Sequence, residues 1–373
     1  MDLRSYNNPT ERRKSIEEKL NLSLPSIGES YVDEAGSVHC ENRIGSVAIP
    51  LGVAGPISIH GEKVKGEYYI PLATSEGALV ASVSRGCKAI SQSGGTTVRT
   101  ELVGVTRGSL FQVKGIQEGI SFRNWMTDHF KELQSKAKST SSHLQLLKIE
   151  SVQNGRNVYV RFYFNTEDAM GMNMATIATD TICTFIEKEK GINCIAVAGN
   201  YDTDKKPSWL NFISGRGRKG WAETVLTVDT VKTILKTTPE GIYNTVIQKC
   251  WGGSIMSGSL GFNAHFANIT AAFFAATGQD IAHVVEGSLG VTSAEILSNG
   301  DLYFAVYLPD IMLGTVGGGT KLKTQTEARS IIGVKTSEEL AEVFVAAVLA
   351  GELSLIASIS EKTLAITHRK LGR

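Results

Sequence analysis

Two segments of the sequence are apolar on nearly every side of the helix that each would form. They run from Phe266 to Ala276 and from Val343 to Ala350. A helix without a polar face is buried in a protein core or spans a membrane. Neither segment belongs to a stretch of about 18 uninterrupted apolar residues, which a membrane span requires. We therefore expect two buried helices in a globular protein that does not associate with a membrane.

Composition narrows the class of protein further. At about 150 residues per domain, the length predicts two or three domains. Of the 373 residues, 42% are hydrophobic and 20% are charged, as is typical of globular proteins. The 38 basic and 37 acidic side chains nearly cancel, so no net charge favours binding to nucleic acid or anionic lipid. The charged N-terminus lacks the apolar core of a signal peptide.

The metal-ligating residue types show no site spacing. The seven histidines are scattered, and the five cysteines are far apart with no CxxC pair. This pattern predicts neither a disulfide framework nor a thiolate zinc site. We expect a reduced, cytoplasmic protein without a metal.

Local patterns predict the elements of the first hundred residues. A short charged helix is expected from Thr10 to Leu22, and strands are expected from Gly45 to Pro71. The next helix is predicted from Thr74 to Gln92. Thr74 would be its N-cap, and Glu76 would lie in its first turn, where the helix dipole favours a carboxylate.

The section from Phe111 to Val197 has a different character. It contains a predicted strand from Val158 to Phe164 and a predicted helix from Ala169 to Lys188. Such alternation over a short section predicts a small α+β domain inserted into a larger one. Near the end of the chain, Thr336 and Glu339 have the spacing of a helix capping box.

Two glycine-rich motifs indicate backbone that approaches something closely. Gly215 to Gly220 reads GRGRKG, a literal GxGxxG, but the residues after it are typical of a strand and not of the helix that a dinucleotide site requires. A solvated basic turn is the favoured interpretation. Gly314 to Thr320 reads GTVGGGT, which exposes amide groups that suit a phosphate or an acyl chain. A tight turn under a core element explains this second motif equally well.

Two other motifs place charged side chains beside helix or loop backbone. Asp168 to Asn173 reads DAMGMN, and at the head of a helix it would offer amides to a pyrophosphate and methionines to a flat ring. Methionines in the core are the alternative. Asp202 to Pro207 reads DTDKKP, which is typical of a solvated turn. If it is buried instead, one lysine becomes a fixed cation for an oxyanion. The residues alone indicate a soluble, enzyme-like α/β protein.

Taken in order along the chain, these motifs resemble the 3-hydroxy-3-methylglutaryl-coenzyme A (HMG-CoA) reductase family. The likeness is to the soluble archaeal and bacterial form, of the class that includes the eukaryotic catalytic domain. It extends roughly from Tyr31 to His368. The matching strings are ENRIGSVAIPLGVAGP, PLATSEGALVASVSRGCKAI, DAMGMN, GNYDTDKKP, GFNAHFAN, GQD, GTVGGGT and AGELSLIAS.

The resemblance implies an α+β fold with a large α/β domain around a central helix, an inserted small ferredoxin-like α+β domain and a short helical N-terminal region. The N-terminal region would cover 1–44, the large substrate- and CoA-binding domain 45–108 and 198–373, and the inserted cofactor-binding domain 109–197. The active site would lie at the interface of a homodimer or higher homo-oligomer, with Lys205 and Glu76 from opposite protomers.

The implied reaction is the four-electron reduction of (S)-HMG-CoA to mevalonate and CoA by two molecules of NADPH, with NADH as the alternative donor. Each hydride adds negative charge to an oxygen atom, which Lys205 would stabilise. Glu76 would donate the proton to that oxygen. Asp280 would favour the protonated form of Glu76 by charge repulsion and would hold Lys205 in place. His368 would protonate the CoA thiolate.

Further site residues follow from the resemblance. Those expected to bind substrate or CoA are Ser82, Arg85, Arg107, Asn200, Asp204, Lys206, Lys249, His265 and Asn268. Those expected to bind the nicotinamide cofactor are Ser141, Ser142, Asp168, Met170, Gly171, Met172, Asn173, Gly317 and Gly318. No nucleic-acid or membrane partner is expected.

Departures from the family pattern leave alternatives open. Ser141-Ser142 stand where NADPH-using members often have Ser-Arg, so Lys138 or Lys148 would have to replace the usual partner of the 2′-phosphate. Ala198 replaces a serine and removes one substrate hydroxyl contact. One alternative is an NAD-dependent enzyme that oxidises mevalonate. Another is a catalytically silent CoA-binding homologue, against which the intact catalytic set argues.

Overall fold

The computed structural model describes Tyr6 and residues 9–25 and 47–361. Its longer helices are Pro9–Leu20, Leu79–Gln92, Ile116–Asp128, Phe130–Lys138, Met172–Lys190, Phe266–Thr277, Lys323–Ile332 and Ser337–Ser360. Its shorter helical segments are Trp209–Ser214, Val228–Thr230, Val231–Leu235, Pro239–Thr245, Val246–Gly253, Ser254–Ser257, Ile281–His283, Val284–Gly287 and Gly318–Lys321.

The described residues form strands in two connected sheets. The strands are β1 (Leu51–His60), β2 (Lys65–Ala73), β3 (Thr96–Gln112), β4 (Gln145–Asn154), β5 (Asn157–Asn165), β6 (Asn193–Ala196), β7 (Arg216–Leu226), β8 (Gly261–Phe262), β9 (Gly290–Ile296) and β10 (Leu302–Ile311). The β1–β3 and β8–β9 pairs are parallel, and the other pairs are antiparallel.

The long strand β3 is shared by both sheets. Its first half pairs with β7, in the order β2-β1-β3-β7-β10-β9-β8. From Val105 onward it pairs with β5 and β6, in the order β4-β5-β3-β6. The change of partner follows Gly104, which has a φ of 109° and lies at a register shift. Because a left-handed φ is disfavoured for residues with a Cβ, glycine permits the bulge at this position.

The second sheet has the connections of a ferredoxin-like domain. Two helices, Ile116–Asp128 and Phe130–Lys138, follow β3, and Met172–Lys190 connects β5 to β6. These helices and the sheet enclose a separate hydrophobic core, in which the rings of Phe111 and Phe122 lie 5.1 Å apart. With the two consecutive helices counted together, the order of elements is βαββαβ, which confirms this part of the predicted fold class.

Helix Ser337–Ser360 forms the centre of the larger core, as predicted for the apolar segment inside it. Every residue from Leu340 to Leu353 is buried. Thr336 and Glu339 form the predicted capping box at its start. By length and composition it is the one helix in the described ranges that meets the criteria for a membrane span, but 83% of its apolar stretch is buried inside the fold.

Two helices pack closely on this central helix. Leu79–Gln92 approaches it at Gly86, where a Cβ would lie 1.9 Å from the carbonyl oxygen of Ala350. No side chain fits into such a distance, so glycine is what allows the two backbones to meet. On another side, Phe273 packs on Phe344 with ring centroids 5.2 Å apart. The second predicted apolar helix, observed as Phe266–Thr277, is therefore also a core helix.

The predicted start of the helix at Thr74 was wrong. The helix begins at Leu79, after Ala78 in a left-handed conformation with a φ of 72°. The hydroxyl of Thr74 accepts a hydrogen bond from the Glu76 backbone N–H at 2.9 Å, which forms a local turn. Such side-chain to backbone bonds compete with helix formation. Glu76 consequently lies in a loop and not in a first helical turn.

The interpretation of GRGRKG as a solvated basic turn was also wrong. Its residues form the start of β7, and the Arg216 side chain is completely buried. The guanidinium is compensated by carboxylates from Asp204 and Glu286. A buried charge requires such partners, and these come from other segments of the chain.

Candidate active site

The DTDKKP loop has unusual backbone geometry. Asn200, Thr203 and Lys205 are left-handed, with φ values of 66°, 57° and 56°. This conformation costs about 1–2 kcal/mol for a residue that has a Cβ. Backbone strain of this kind persists where surrounding contacts impose it, and it is concentrated at functional sites.

Buried side chains hold this loop against the sheets. Asp202 is 1% exposed, and its carboxylate lies 3.0 Å from an Nη atom of Arg107. The hydroxyl of Thr106, on β3, donates to the Asp202 carbonyl oxygen at 3.1 Å. The backbone N–H of Lys205 donates to Oε1 of Glu286 at 2.6 Å. The motif is therefore anchored and is not the solvated turn that its composition favours.

The Lys205 side chain leaves the loop towards Asp280. Its Nζ lies 2.7 Å from Oδ2 of Asp280, and the lysine side chain is 39% exposed. Burial raises the pKa of Asp280, but hydrogen bonds from Lys205 and from the Ala282 backbone N–H outweigh it, so the pKa lies below its ordinary value of 3.8. Asp280 is thus an anion at neutral pH that orients an accessible ammonium group.

Buried ionisable side chains lie next to the Lys205–Asp280 ion pair. The guanidinium of Arg216 contacts Oδ1 of Asp204 at 2.9 Å and Oε1 of Glu286 at 2.7 Å. The His283 ring lies among three carboxylates, with contacts of 3.3 Å to Glu286, 3.8 Å to Asp280 and 3.9 Å to Asp204. Together with Lys205, these five residues form what we call the Lys205 site.

Three members of the Lys205 site resemble a metal-ligand set. The ligand atoms of Asp204, His283 and Glu286 lie within 4.8 Å of one another. Arg216 already contacts both carboxylates directly. The arginine therefore supplies the positive charge that a metal ion would bring, and we propose no metal there.

Glu76 belongs to a second group of side chains. Its Oε1 accepts a hydrogen bond from Nδ2 of Asn268 at 3.2 Å, and that nitrogen lies 3.5 Å from Nδ1 of His265. Nε2 of His265 lies 2.8 Å from the carbonyl oxygen of Gly351. Because a carbonyl only accepts, Nε2 carries a proton, and Nδ1 of a neutral His265 faces Asn268 as an acceptor.

Two residues that are expected to bind substrate or CoA contact the C-terminal part of the central helix, close to Gly351. The hydroxyl of Ser82 donates to the Ser354 hydroxyl at 3.0 Å. Arg85 donates from Nε to the Ser354 hydroxyl at 3.0 Å and from Nη2 to the Ser358 hydroxyl at 2.6 Å. We call Glu76, Ser82, Arg85, His265 and Asn268 the Glu76 site.

Glu76 and Lys205 have different partners in one chain. No hydrogen bond or ion pair joins Glu76 to Lys205 or Asp280 within residues 47–361. Among the other predicted substrate residues, Arg107 also contacts the Thr176 hydroxyl, at 2.6 Å, and Lys206 donates to the Asp204 carbonyl at 3.4 Å. Asn200 and Lys249 are exposed. His368 lies outside the described residues.

The two motifs that are expected to bind the cofactor, DAMGMN and GTVGGGT, contact each other through their backbones. The Asp168 carbonyl accepts hydrogen bonds from Thr315 at 2.8 Å and Val316 at 3.2 Å. A Cβ on Gly314 would lie 2.3 Å from the Met170 backbone nitrogen, so this glycine serves packing. Gly317 and Gly318 have left-handed φ values of 82° and 52° and open space beside them.

The DAMGMN motif also begins a helix, as predicted. Gly171, with a φ of 87°, is the N-cap of Met172–Lys190. The carboxylate of Asp168 accepts the Ser337 backbone N–H at 2.8 Å, at the start of the central helix. Met172 is 8% exposed and its sulfur contacts Arg216 at 2.9 Å, whereas Asn173 is exposed. The motif therefore connects the cofactor region to the Lys205 site.

Ser142 lines a groove on the small domain, near Ser141. The groove is also lined by Lys131, Lys138 and His143. Lys148, the other lysine considered for the 2′-phosphate, is engaged elsewhere: its Nζ contacts Glu150 at 2.8 Å and lies 4.1 Å from the centroid of the Tyr163 ring.

With this geometry established, comparison with known proteins identifies the family. The family model described as Hydroxymethylglutaryl-coenzyme A reductase matches residues 8–373. The chain belongs to the HMG-CoA reductase family. The resemblance predicted from the motifs is confirmed.

Relatives and solved structures agree with this assignment. The chain is 49% identical to 3-hydroxy-3-methylglutaryl-coenzyme A reductase of Methanocaldococcus jannaschii, over 97% of this chain and 92% of that protein. It is 47% identical to the enzyme of Methanothermobacter thermautotrophicus, with the same two coverages. The fold is similar to the class II enzyme of Streptococcus pneumoniae bound to NADPH, with a TM-score of 0.79, 17% identity, and coverage of 95% of this chain and 97% of that chain.

Sequence reasoning missed three residues of the Lys205 site. Arg216 was assigned to a solvated turn, and neither His283 nor Glu286 was considered as a site residue. The one available signal was spacing: His283 follows Asp280 by three residues and Glu286 follows by six, in a short helical stretch. Their contacts with the DTDKKP loop span 81 residues of sequence for Glu286, so no local pattern reveals them.

Proposed function

We propose that this chain reduces HMG-CoA to mevalonate and CoA, with two molecules of NADPH as hydride donors. The observation that carries this proposal is the 2.7 Å contact between Lys205 Nζ and Asp280 Oδ2. A hydride added to a thioester carbonyl places negative charge on its oxygen, and a preorganised cation stabilises that charge. The exposed ammonium of Lys205, fixed by an anion and by a strained backbone, fits this role.

The reaction also consumes two protons. The first hydride gives a tetrahedral oxyanion, which expels the CoA thiolate and leaves an aldehyde, and the second hydride reduces the aldehyde to the alcohol. Glu76 would donate the proton to the alcohol oxygen, and its contact with Asn268 would orient it. His368 would protonate the thiolate.

We assign the substrate contacts to the Glu76 site and to the region around Lys205. Ser82 and Arg85 would bind the CoA portion beside the end of the central helix, and His265 and Asn268 would contact the HMG portion. Residues of the Lys205 region would bind the HMG carboxylate and nearby polar atoms. That group is Arg107, Asn200, Asp204, Lys206 and Lys249. The support is that several of these residues lie in the same loop as Lys205 or contact it.

The complete active site would form between two protomers of a homodimer in the cytoplasm. In support, no hydrogen bond or ion pair joins Glu76 to Lys205 within the described part of one chain, although the reaction needs the acid and the cation at the same carbonyl oxygen. The lysine of one protomer would meet the glutamate of the other. A monomer would then be inactive.

The cofactor would bind to the inserted unit at 109–197, which we propose as the cofactor domain. Asp168, Met170, Gly171, Met172 and Asn173 would contact it, with Gly317 and Gly318 open beside them. Lys131 and Lys138, which line the groove beside Ser141 and Ser142, would take the 2′-phosphate that the missing arginine would otherwise bind. Two cations near one phosphate favour NADPH over NADH.

Because Ser142 replaces the arginine of NADPH-using members, the experiment also tests the NAD-dependent alternative. Serine at Ser142 is uncharged, so NADH would be the preferred cofactor if the two groove lysines do not bind phosphate. A preference for NADH would favour the interpretation that the enzyme oxidises mevalonate with NAD. A CoA-binding homologue without activity is the other outcome.

The experiment mixes the purified chain with HMG-CoA and follows the absorbance of the reduced nicotinamide. We expect oxidation of NADPH to be faster than that of NADH at equal concentration. Faster oxidation of NADH would keep the reductase activity, would contradict the NADPH assignment and would favour the degradative role. No oxidation of either cofactor would overturn the reductase proposal.

A further inference from the structure

In the described part of the larger domain, three buried glutamates have carboxylates that accept backbone N–H groups. Two of them stabilise turns. Glu342, in the central helix, accepts three successive N–H groups of the β1–β2 turn at 2.9–3.0 Å. Glu352, also in that helix, accepts the N–H of His265 at 3.0 Å. Glu286 accepts the N–H of Lys205.

Glu286 makes all its contacts through one oxygen. Its Oε1 lies 2.6 Å from the Lys205 backbone nitrogen, 2.7 Å from an Nη atom of Arg216 and 3.3 Å from Nδ1 of His283. The side chain is 0% exposed. Arg216 compensates the buried carboxylate of Glu286. A hydrogen bond from a backbone N–H to a carboxylate oxygen is stronger than one between neutral groups.

The backbone N–H that Glu286 accepts belongs to a residue in an unfavourable conformation. Lys205 has a φ of 56°, which residues with a Cβ rarely adopt. The φ angle determines the direction in which Cβ, and hence the ammonium group, leaves the loop. In the described structure, that direction leads to Asp280.

We propose that Glu286 is a positioning residue for the reduction: its hydrogen bond to the Lys205 backbone N–H keeps that residue left-handed and aims its ammonium group at the substrate carbonyl. This inference depends on the proposed function of Lys205. Asp280 then tethers the end of the lysine side chain, and Glu286 tethers its beginning. Neither contact replaces the other, because one fixes the ammonium and the other fixes the backbone.

A positioning role predicts a specific kinetic defect. Without Glu286, the lysine retains its charge and its attraction to Asp280 but samples more orientations. Misplacement of a catalytic group by about 1 Å costs up to about 100-fold in rate. The defect appears in kcat, because the orientation matters most when the oxyanion forms, and the KM for HMG-CoA changes little.

The test compares Glu286→Ala and Glu286→Gln with the matched control Glu342→Ala. We expect Glu286→Ala to lower kcat by about 100-fold with KM within about 3-fold. The glutamine amide oxygen still accepts the Lys205 N–H, so Glu286→Gln should retain at least about tenfold more activity than the alanine variant. Glu342→Ala removes a similar buried carboxylate whose hydrogen bonds go to the β1–β2 turn and not to Lys205, and it should lower thermal stability while kcat is unchanged.

Several outcomes overturn the proposal. These are a kcat of Glu286→Ala within 2-fold of the unaltered chain, equal losses in the alanine and glutamine variants, or an equal kcat loss in Glu342→Ala. If Glu286→Ala does not fold, a kcat for Glu286→Gln as low as about 100-fold below the unaltered chain contradicts it. Failure of the proposed function is distinguishable, because the unaltered chain itself would then not oxidise NADPH. In that case a crystal structure of Glu286→Ala decides: a Lys205 that is still left-handed overturns the inference, and one that leaves that conformation supports it.

Discussion

The Lys205 site and the Glu76 site are built from different interactions. In the Lys205 site, three ion pairs have N···O distances of 2.7–2.9 Å, and two of the residues that form them, Arg216 and Glu286, are completely buried. In the Glu76 site, the carboxylate is exposed and accepts one neutral donor, at 3.2 Å. The first site is organised before any ligand arrives. In the second, no ion pair to the Glu76 carboxylate is present among the described residues of one chain.

This difference suits the two kinds of chemistry. A group that stabilises developing negative charge works best when its position and charge are fixed in advance. A proton donor has to change its protonation state, and a permanent ion pair would favour the charged form. We therefore expect substitutions in the buried network of the Lys205 site to lower stability strongly. Substitutions in the Glu76 site should have smaller effects.

Removal of Arg216 should have the largest effect on stability. Arg216→Ala leaves the carboxylates of Asp204 and Glu286 without their common partner. Breaking a buried ion pair in this way costs about 3–5 kcal/mol in the free energy of unfolding. Urea unfolding measures the change. The matched variant is Arg99→Ala, at an exposed position of β3, which should change stability by no more than about 0.5 kcal/mol. Equal values for the two variants would contradict the buried network.

Gly86 tests the contact that supports the Glu76 site. Gly86→Ala places a Cβ 1.9 Å from the Ala350 carbonyl oxygen, so the two helices must separate. We expect a loss of about 1–3 kcal/mol in the free energy of unfolding. Ser82 and Arg85 lie on the displaced helix, so KM for HMG-CoA should also rise.

The control for Gly86 is another helical glycine. At Gly253, a Cβ would meet only an ordinary contact of 3.6 Å. Gly253→Ala should be neutral or stabilise the fold by up to about 1 kcal/mol. A Gly86→Ala variant as stable as Gly253→Ala would show that the helices do not meet at the described distance.

Asn268 tests the contact with Glu76 directly. Asn268→Ala removes the donor that orients the carboxyl group, and we expect kcat/KM for HMG-CoA to fall about tenfold. Stability should change little, because Glu76 is exposed. Asn244→Ala, at an exposed helix position, should retain full activity. Full activity of Asn268→Ala would contradict the proposal that Asn268 orients the Glu76 carboxyl group.

Substitution of Asp280 should have the smallest effect on the free energy of unfolding, and that effect depends on pH. Its pKa lies below 3.8 in the folded chain, so its contribution to stability is present above about pH 4 and is lost as the pH falls through the folded pKa. The side chain is 36% exposed, so the contribution stays below about 1 kcal/mol. The difference in urea unfolding between Asp280→Asn and the unaltered chain should be present at pH 6 and should shrink as the pH falls through the folded pKa of Asp280. A difference that grows on acidification would reverse the assigned sign.

The sequence predicted those features that depend on local patterns. The two buried helices followed from apolar residues on every face, and the capping box at Thr336 followed from a three-residue spacing. The family motifs brought together Lys205 and Asp280, which are in contact. The later start of the helix at Leu79 escaped prediction because the Thr74 hydroxyl competes for the backbone.

The buried charges could not be predicted in this way. Arg216 contacts Glu286 across 70 residues of sequence, so its burial depends on the fold. In a sequence, a basic run such as GRGRKG has the same pattern whether its charges are solvated or paired. Only the approach of β7 to the helical stretch at Ile281–His283 and Val284–Gly287 decides between them.

The most direct test of the account is the activity of Lys205→Ala. Loss of one oxyanion stabiliser costs about 10²–10³ in kcat, and we expect at least that loss in HMG-CoA-dependent oxidation of NADPH, with the protein still folded by circular dichroism. Lys188→Ala, an exposed lysine at the end of Met172–Lys190, should keep full activity. A folded Lys205→Ala enzyme with a kcat close to that of Lys188→Ala would contradict the assignment of Lys205 as the oxyanion-stabilising cation.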